Sequence, residues 1–392
     1  SGAYLDLGGF AARFDGLSGA GTIQNTSSGS TPTLTAPNLV VGNLDGTNMA
    51  TGAALTSGQS SFGGLITDGF GSVGIFFEKV GHGTQTINSA TPQAFTKGLA
   101  VFGGGLVLDM SNMATPTNLV SSGYGTAGTV MSGATSTATS TINVASTAGI
   151  AIGQGISGTG LGAGAIVTGI TGSGTITINQ TATVTVAASS VGVTLTLTSA
   201  PVTLDGALSL VGKASTVSSQ TFTGVNVGLG ASTVTVTPGA SSTATLALGA
   251  LGRPLNTYAF PGINVSGTPA TNGATAFATN FGVVDFGATG TITTTSANVN
   301  GILGAYATYA GNDWATGAGT IAAYSGYVSG LPTSASVATT NYVDTSVGVT
   351  LTASESVNTL KLAPATTAAT HVLGANVLTV AGSGILMSSA SA

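Results

Sequence analysis

Apolar and polar residues alternate along most of this chain in short runs, each closed by Gly, Asn, Asp or Ser. Gly105-Leu106-Val107-Leu108-Asp109, Gly174-Thr175-Ile176-Thr177-Ile178-Asn179 and Ser232-Thr233-Val234-Thr235-Val236-Thr237 show the pattern, and it returns from Gly290 to Thr295 and from Val347 to Thr352. Successive side chains of a strand point to opposite faces. A branched apolar residue at every second position, with Thr or Ser between, is therefore the mark of a half-buried strand. Helices have little to build on, because Glu, Lys, Gln and Arg are scarce and Gly enters every window. The pattern predicts an all-β chain.

Many short strands at even spacing lead to a sandwich, a barrel or a β-solenoid. A single sandwich or barrel is full long before 392 residues. A solenoid keeps adding coils, each stacked about 4.8 Å from the last. At roughly 20 to 30 residues per coil, the chain would make a rod on the order of 50 to 80 Å long. Two stretches break the rhythm. Met110 to Leu204 contains no Asp, Glu, Lys, Arg or His, and residues 129–200 within it read as a compact all-β insertion. Residues 253–281 carry Pro254, Pro261 and Pro269 and read as a long loop, of the kind that contacts something or moves. The expected organisation is a first solenoid part over 1–128, an inserted all-β module over 129–200, and a second solenoid part over 201–392.

Composition narrows the class. Charged residues make up 4% of the chain, 6 Lys and Arg against 11 Asp and Glu, while Gly alone numbers 62. Disordered chains combine high charge with low hydrophobicity, and coiled coils need charged flanking positions, so both are excluded. Collagen would need Gly at every third position. Arg13, Lys79, Lys97, Lys213, Arg253 and Lys361 stand singly, which leaves no basic cluster for nucleic acid. Mean hydropathy is +0.48, yet no run of 18 apolar residues occurs and no aromatic girdles flank the strands, so membrane insertion is not expected. There is no Cys, hence no disulfide and no thiolate site. The chain opens on Ser1 with no basic segment leading into an apolar one, as a processed product or a piece of a longer chain would.

Several runs resemble the autotransporter-associated β-strand repeat family. They are Tyr4-Leu5-Asp6-Leu7-Gly8-Gly9-Phe10, Phe62-Gly63-Gly64-Leu65-Ile66-Thr67-Asp68-Gly69, Lys79-Val80-Gly81-His82-Gly83-Thr84-Gln85-Thr86-Ile87 and Ser356-Val357-Asn358-Thr359-Leu360-Lys361-Leu362. The resemblance extends over most of the chain outside 129–200 and 253–281. It implies a right-handed parallel β-helix in a secreted or surface-exposed bacterial protein, with repeats that have no catalytic residues of their own.

Candidate chemistry is sparse. The Asp residues lie mainly in turn sequences, where Asp caps the bend. Glu78-Lys79 reads as a solvated edge. Gly153-Gln154-Gly155-Ile156-Ser157-Gly158 has the form GxGxxG, but the acid and helix that a dinucleotide site requires do not follow. His82 and His371 are too far apart in sequence for a zinc or triad spacing. No cofactor, metal or catalytic residue is expected. The candidate interface is aromatic: Tyr306, Tyr309, Trp314, Tyr324 and Tyr327 fall close together, with Tyr258 and Phe260 in the neighbouring loop. Tyr and Trp anchor interfaces, although they also simply fill cores.

The leading expectation is a structural subunit or segment of an extracellular fibre, sheath or matrix, with a second copy of the chain as its partner. Open strand edges would pair between copies, and a nearly uncharged surface would not keep them apart. The alternative is an adhesin stalk holding a surface or polysaccharide through its aromatic loops. A polysaccharide-active β-helix enzyme ranks third, since it needs carboxylates meeting on one face.

Overall fold

The computed structural model describes residues 3–26, 38–42, 59–69, 74–125, 130–135, 139–144, 146–147, 150–151, 153–158, 160–162, 165–171, 174–179, 193–197, 200–253, 282–332, 337–346, 348–364 and 370–388. Among these residues there is no helix, most strand pairs are parallel, and the sheets do not close into a barrel. The arrangement fits a β-solenoid.

Three faces run along the main body. The first holds Tyr4–Asp6, Thr22–Gln24 and Leu65–Thr67, then Ser218–Thr221, Ala244–Ala247 and Thr291–Thr294. Parallel bridges from Thr67 to Ala94 and from Thr117 to Ser219 connect its two parts. The second face stacks Ala12–Phe14, Asn38–Val41, Phe76–Lys79, Gly98–Val101, Val202–Leu204, Gly224–Val227 and Ala250–Gly252 in parallel. The third stacks Gln59–Phe62, Thr84–Ile87, Gly105–Asp109, Ala207–Val211, Ala231–Thr237, Val283–Phe286 and Ala307–Tyr309. The chain visits the faces in turn and comes back one rung along. Phe76 pairs with Gly98, 22 positions on, and Ser218 with Ala244, 26 positions on.

The alternation seen in the sequence becomes stacked columns inside. Leu106, Leu208 and Val234 share one register column, and Ile87, Leu108, Leu210 and Val236 share another, all buried. Parallel in-register pairing places each apolar side chain on its counterpart in the next coil, so one core runs through the stack. The corners are tight. Gly104 takes φ +58°, and a Cβ there would lie 2.2 Å from the Gly83 carbonyl oxygen, so only glycine fits the bend against the coil below.

The stack continues in register across the charge-free segment, since Gly105 pairs with Ala207. Between these two strands the chain forms a six-stranded antiparallel sheet in the order Ile156–Ser157, Val193–Leu197, Val130–Thr135, Thr141–Val144, Thr175–Ile178, Val167–Thr171. It has its own core, including Ile142, Ile150, Val167 and Ile176. Tyr124 and Ala200 pair antiparallel at its neck. The Tyr124 ring stacks on Phe95, and Phe95 on Phe77, with ring centroids 5.6 and 5.8 Å apart.

The third face ends differently from the way it runs. Asp313–Thr316 and Ala322–Ala323 join it antiparallel, which breaks the parallel succession. A parallel sheet of Val328–Ser329, Asn341–Asp344, Glu355–Leu362 and Leu378–Met387 follows, over a separate core of Leu331, Tyr342, Leu351, Val357 and Leu360.

Candidate functional site

The few ionisable and amide side chains are used mainly to fasten coils to one another. Lys79 lies on a strand with Glu78, so the two point to opposite faces. Lys79 is buried and donates to the carbonyls of Val80, Gly81 and Gly103 at 2.5, 3.4 and 3.3 Å. Burial raises the Glu78 carboxyl above its usual range, and Arg13 opposes that shift. The expectation of a solvated Glu78-Lys79 edge is thus overturned: strand alternation turns the lysine inward, where its stem packs as an aliphatic chain. Lys97 is buried too and donates to the Ile150 carbonyl at 2.8 Å, tying the inserted sheet to the stack. Burial lowers its pKa, with Asp68 acting the other way. Lys213 donates to the Met113 carbonyl at 2.6 Å. Arg253 donates to the Gly282 carbonyl at 3.0 Å and lies 4.5 Å above the Tyr306 ring. Lys361 pairs with Asp313 and sits 5.4 Å from the centre of the Tyr327 ring.

Three buried glutamines act as substitute peptide groups. Gln85 accepts from the Leu17 N–H at 2.8 Å and donates to the Leu17 carbonyl at 3.1 Å. Gln220 does the same for Val120, at 3.2 and 3.0 Å. Gln93 accepts from the Ile66 N–H and donates to the Gly64 carbonyl. At Leu17 and Val120, outside the strands, the side-chain amide replaces both backbone bonds, whereas at Ile66, inside Leu65–Thr67, Gln93 takes the place of a neighbouring strand.

The carboxylates serve turns and neighbouring coils. Asp6 accepts from the Gly8 and Thr26 N–H groups and from the Thr26 hydroxyl, and these bonds, the hydroxyl first, hold its pKa below the usual value. Asp68 accepts from Ile75 and Thr96. Asp285 accepts from the Thr308 hydroxyl at 2.7 Å and the Gly311 N–H at 2.8 Å. Asp109 and Asp344 each take the N–H two residues on. Among the described residues, no group of three His, Cys, Asp or Glu side chains comes together as a metal site.

The sequence-selected aromatics divide by position. Tyr258 and Phe260 lie outside the described residues. Tyr306 and Tyr309 are half-buried and pack on the main core. Trp314 is only 3% exposed, next to Gly384 of the C-terminal sheet. Tyr324 and Tyr327 are half-buried and meet edge to face at 4.8 Å, and the Tyr327 hydroxyl accepts from the Trp314 N–H at 3.0 Å. The group sits largely within the junction between the main stack and the C-terminal sheet.

An asparagine network completes that junction, and the sequence reading missed it. Asn341 donates to the Asn300 carbonyl at 2.7 Å and accepts from Asn358 Nδ2 and the Thr359 hydroxyl, both at 2.7 Å. Asn300 Nδ2 donates to Asn358 Oδ1 at 3.0 Å. The available signal was an Asn beside apolar strand residues in both Asn341-Tyr342-Val343 and Val357-Asn358.

Among the edge strands of the described residues, Tyr4–Asp6 and Leu378–Met387 come first and last along the chain. Tyr4–Asp6 pairs with Thr22–Gln24 alone, and Tyr4 and Phe10 beside it are each 67% exposed. Leu378–Met387 pairs with Glu355–Leu362 alone and exposes Ile385 and Met387, with Val377 next to it. Comparison with known protein families, with curated proteins and with solved structures finds no match for this chain.

Proposed function

We propose that the chain is a structural subunit or segment of an extracellular bacterial fibre, sheath or matrix, and that its copies join through their strand edges. The observation that carries this reading is the pair of open, parallel-running edges. Leu378–Met387 is ten residues long and contains no charge and no proline. Charges and prolines keep edges from pairing between molecules; a register shift between Val380 and Gly384 interrupts this edge, and the runs on either side of it are templates for another strand. Contacts of that kind are head-to-tail and do not close, so they build filaments.

The winding we assign is a right-handed parallel β-helix, the hand taken by about 98% of parallel crossover connections. The resemblance to autotransporter-associated repeats points to the same fold and to a secreted or surface location. The use of cations and amides as internal fasteners supports a load-bearing role, since it stiffens the stack. An adhesin reading would rest on Tyr324 and Tyr327 among the described aromatics, because Trp314 is enclosed.

Sedimentation velocity over a range of protein concentrations tests the proposal. Concentration-dependent growth into large species is expected, and Ile385→Lys, which sets a charge on the open edge, should suppress it. A chain that sediments as a monomer throughout would overturn the reading.

A further inference from the structure

A tight turn at the junction with the C-terminal sheet is built from Asn followed by Gly. Asn300 and Gly301 take φ of +52° and +87°, between Val299 and Ile302, which exchange backbone hydrogen bonds at 2.7 and 3.2 Å. Two consecutive positive φ values in a two-residue loop define a type I′ turn, where Asn-Gly is favoured. Both residues are exposed. Asn300 also belongs to the asparagine network. Its Nδ2 donates to Asn358 Oδ1 at 3.0 Å, and its carbonyl accepts from Asn341 Nδ2 at 2.7 Å. Glycine has no Cβ to shield its amide nitrogen, so an Asn side chain that precedes Gly is open to attack by the backbone. The other Asn-Gly pair of the chain, Asn272-Gly273, lies outside the described residues.

We propose that Asn300 is a self-modification site, where the Gly301 amide nitrogen displaces ammonia from the Asn300 side chain and the product unfastens the C-terminal sheet. The Gly301 N–H gives its proton to base, and its nitrogen bonds to Asn300 Cγ. The Cγ–Nδ2 bond breaks, and the nitrogen leaves as ammonia. Water then opens the five-membered imide at either carbonyl, leaving aspartate or isoaspartate at position 300. Either product replaces the Nδ2 donor by a carboxylate, which only accepts. Asn358 Oδ1 then faces a negatively charged acceptor. Asn358 has no free remedy in turning its amide over, because its Nδ2 already donates to Asn341 Oδ1 at 2.7 Å. Isoaspartate also adds a methylene to the backbone beside the carbonyl that Asn341 holds. The change falls on the residues that join Asn341–Asp344 and Glu355–Leu362 to the turn, so the site acts as a slow timer on that junction.

The test keeps the full chain in mildly alkaline buffer over several weeks, sampled by intact mass, peptic mapping and isoaspartate-specific methyl transfer. A gain of one dalton at Asn300 is expected, well ahead of Asn341 and Asn358, which precede Tyr342 and Thr359. Aged protein should lose hydrogen-exchange protection in Asn341–Asp344 and Glu355–Leu362 while Ala207–Val211 keeps it. Freshly made Asn300→Asp should lose protection in the same strands. Asn300→Gln, whose longer side chain closes the ring poorly, should show no gain at that position. An Asn300 that stays intact, whether or not Asn272 converts, would overturn the proposal. Conversion that leaves the exchange of the C-terminal sheet unchanged would overturn it too.

Discussion

Gln220 illustrates how single residues hold this protein together. Its amide carries both bonds of the Val120 peptide unit, and the site is fully enclosed. Gln220→Ala leaves a buried N–H and a buried carbonyl unpaired, at about 1–3 kcal/mol each. The expected outcome is a clear fall in the urea midpoint with an unchanged slope. Asn341→Ala strands Asn358 and Thr359 in the same way, but at the junction with the C-terminal sheet. Hydrogen exchange in Asn341–Asp344 and Glu355–Leu362 should rise while Ala207–Val211 stays protected; uniform exchange would contradict a local role. The lysines give a third test. All four amines are bonded within the fold, and Arg253 is followed by Pro254, a bond that trypsin does not cut. Trypsin under native conditions should therefore cleave after Arg13 at most, as read by intact-mass spectrometry. Cuts at Lys97 or Lys213 would show those fasteners to be loose.

At the scale of elements, the inserted sheet is separable by construction. Tyr124 and Ala200 pair at its neck, and the third face continues in register from Gly105–Asp109 to Ala207–Val211. Replacing 126–198 by a short Gly-Ser linker should leave a folded parallel stack with the same β-type circular dichroism. The melting temperature should drop modestly, because the Lys97 bond to Ile150 is lost. Complete unfolding would make the insertion part of the core.

The first coil has a pH dependence of definite sign. Asp6 has a lowered pKa, so the stability it adds is present above the usual carboxylate value and is lost as pH falls through the lowered one. The Gly8 and Thr26 amides should exchange faster, relative to the rest of the stack, once that carboxylate is protonated.

These elements also mark what was legible in the sequence. Alternation named the strands, because period two is a local property, whereas the coil length came from the periods of known repeats. Turn aspartates such as Asp109 were readable for the same reason. Gln85, Lys79 and the asparagine network were not, because their roles depend on which coil lies underneath. Trp314 was visible as an aromatic, but its enclosure by Gly384 is a contact across 70 positions that no local pattern records.

The whole molecule is a stack with fastened interior and open margins. Among the described residues the charged groups are mostly engaged, and the exposed side chains include large apolar ones such as Tyr4, Phe10, Ile385 and Met387. Such a surface offers little electrostatic resistance to contact between copies. If strand edges join the copies, order along the assembly should follow the strand spacing, about 4.8 Å. The most direct measurement is electron microscopy of the protein recovered from its native source. The account predicts uniform filaments with a regular axial repeat, and fibre diffraction from them should give a meridional reflection near that spacing. Isolated rods of single-chain length at every concentration, or stalks standing singly on cells, would contradict it.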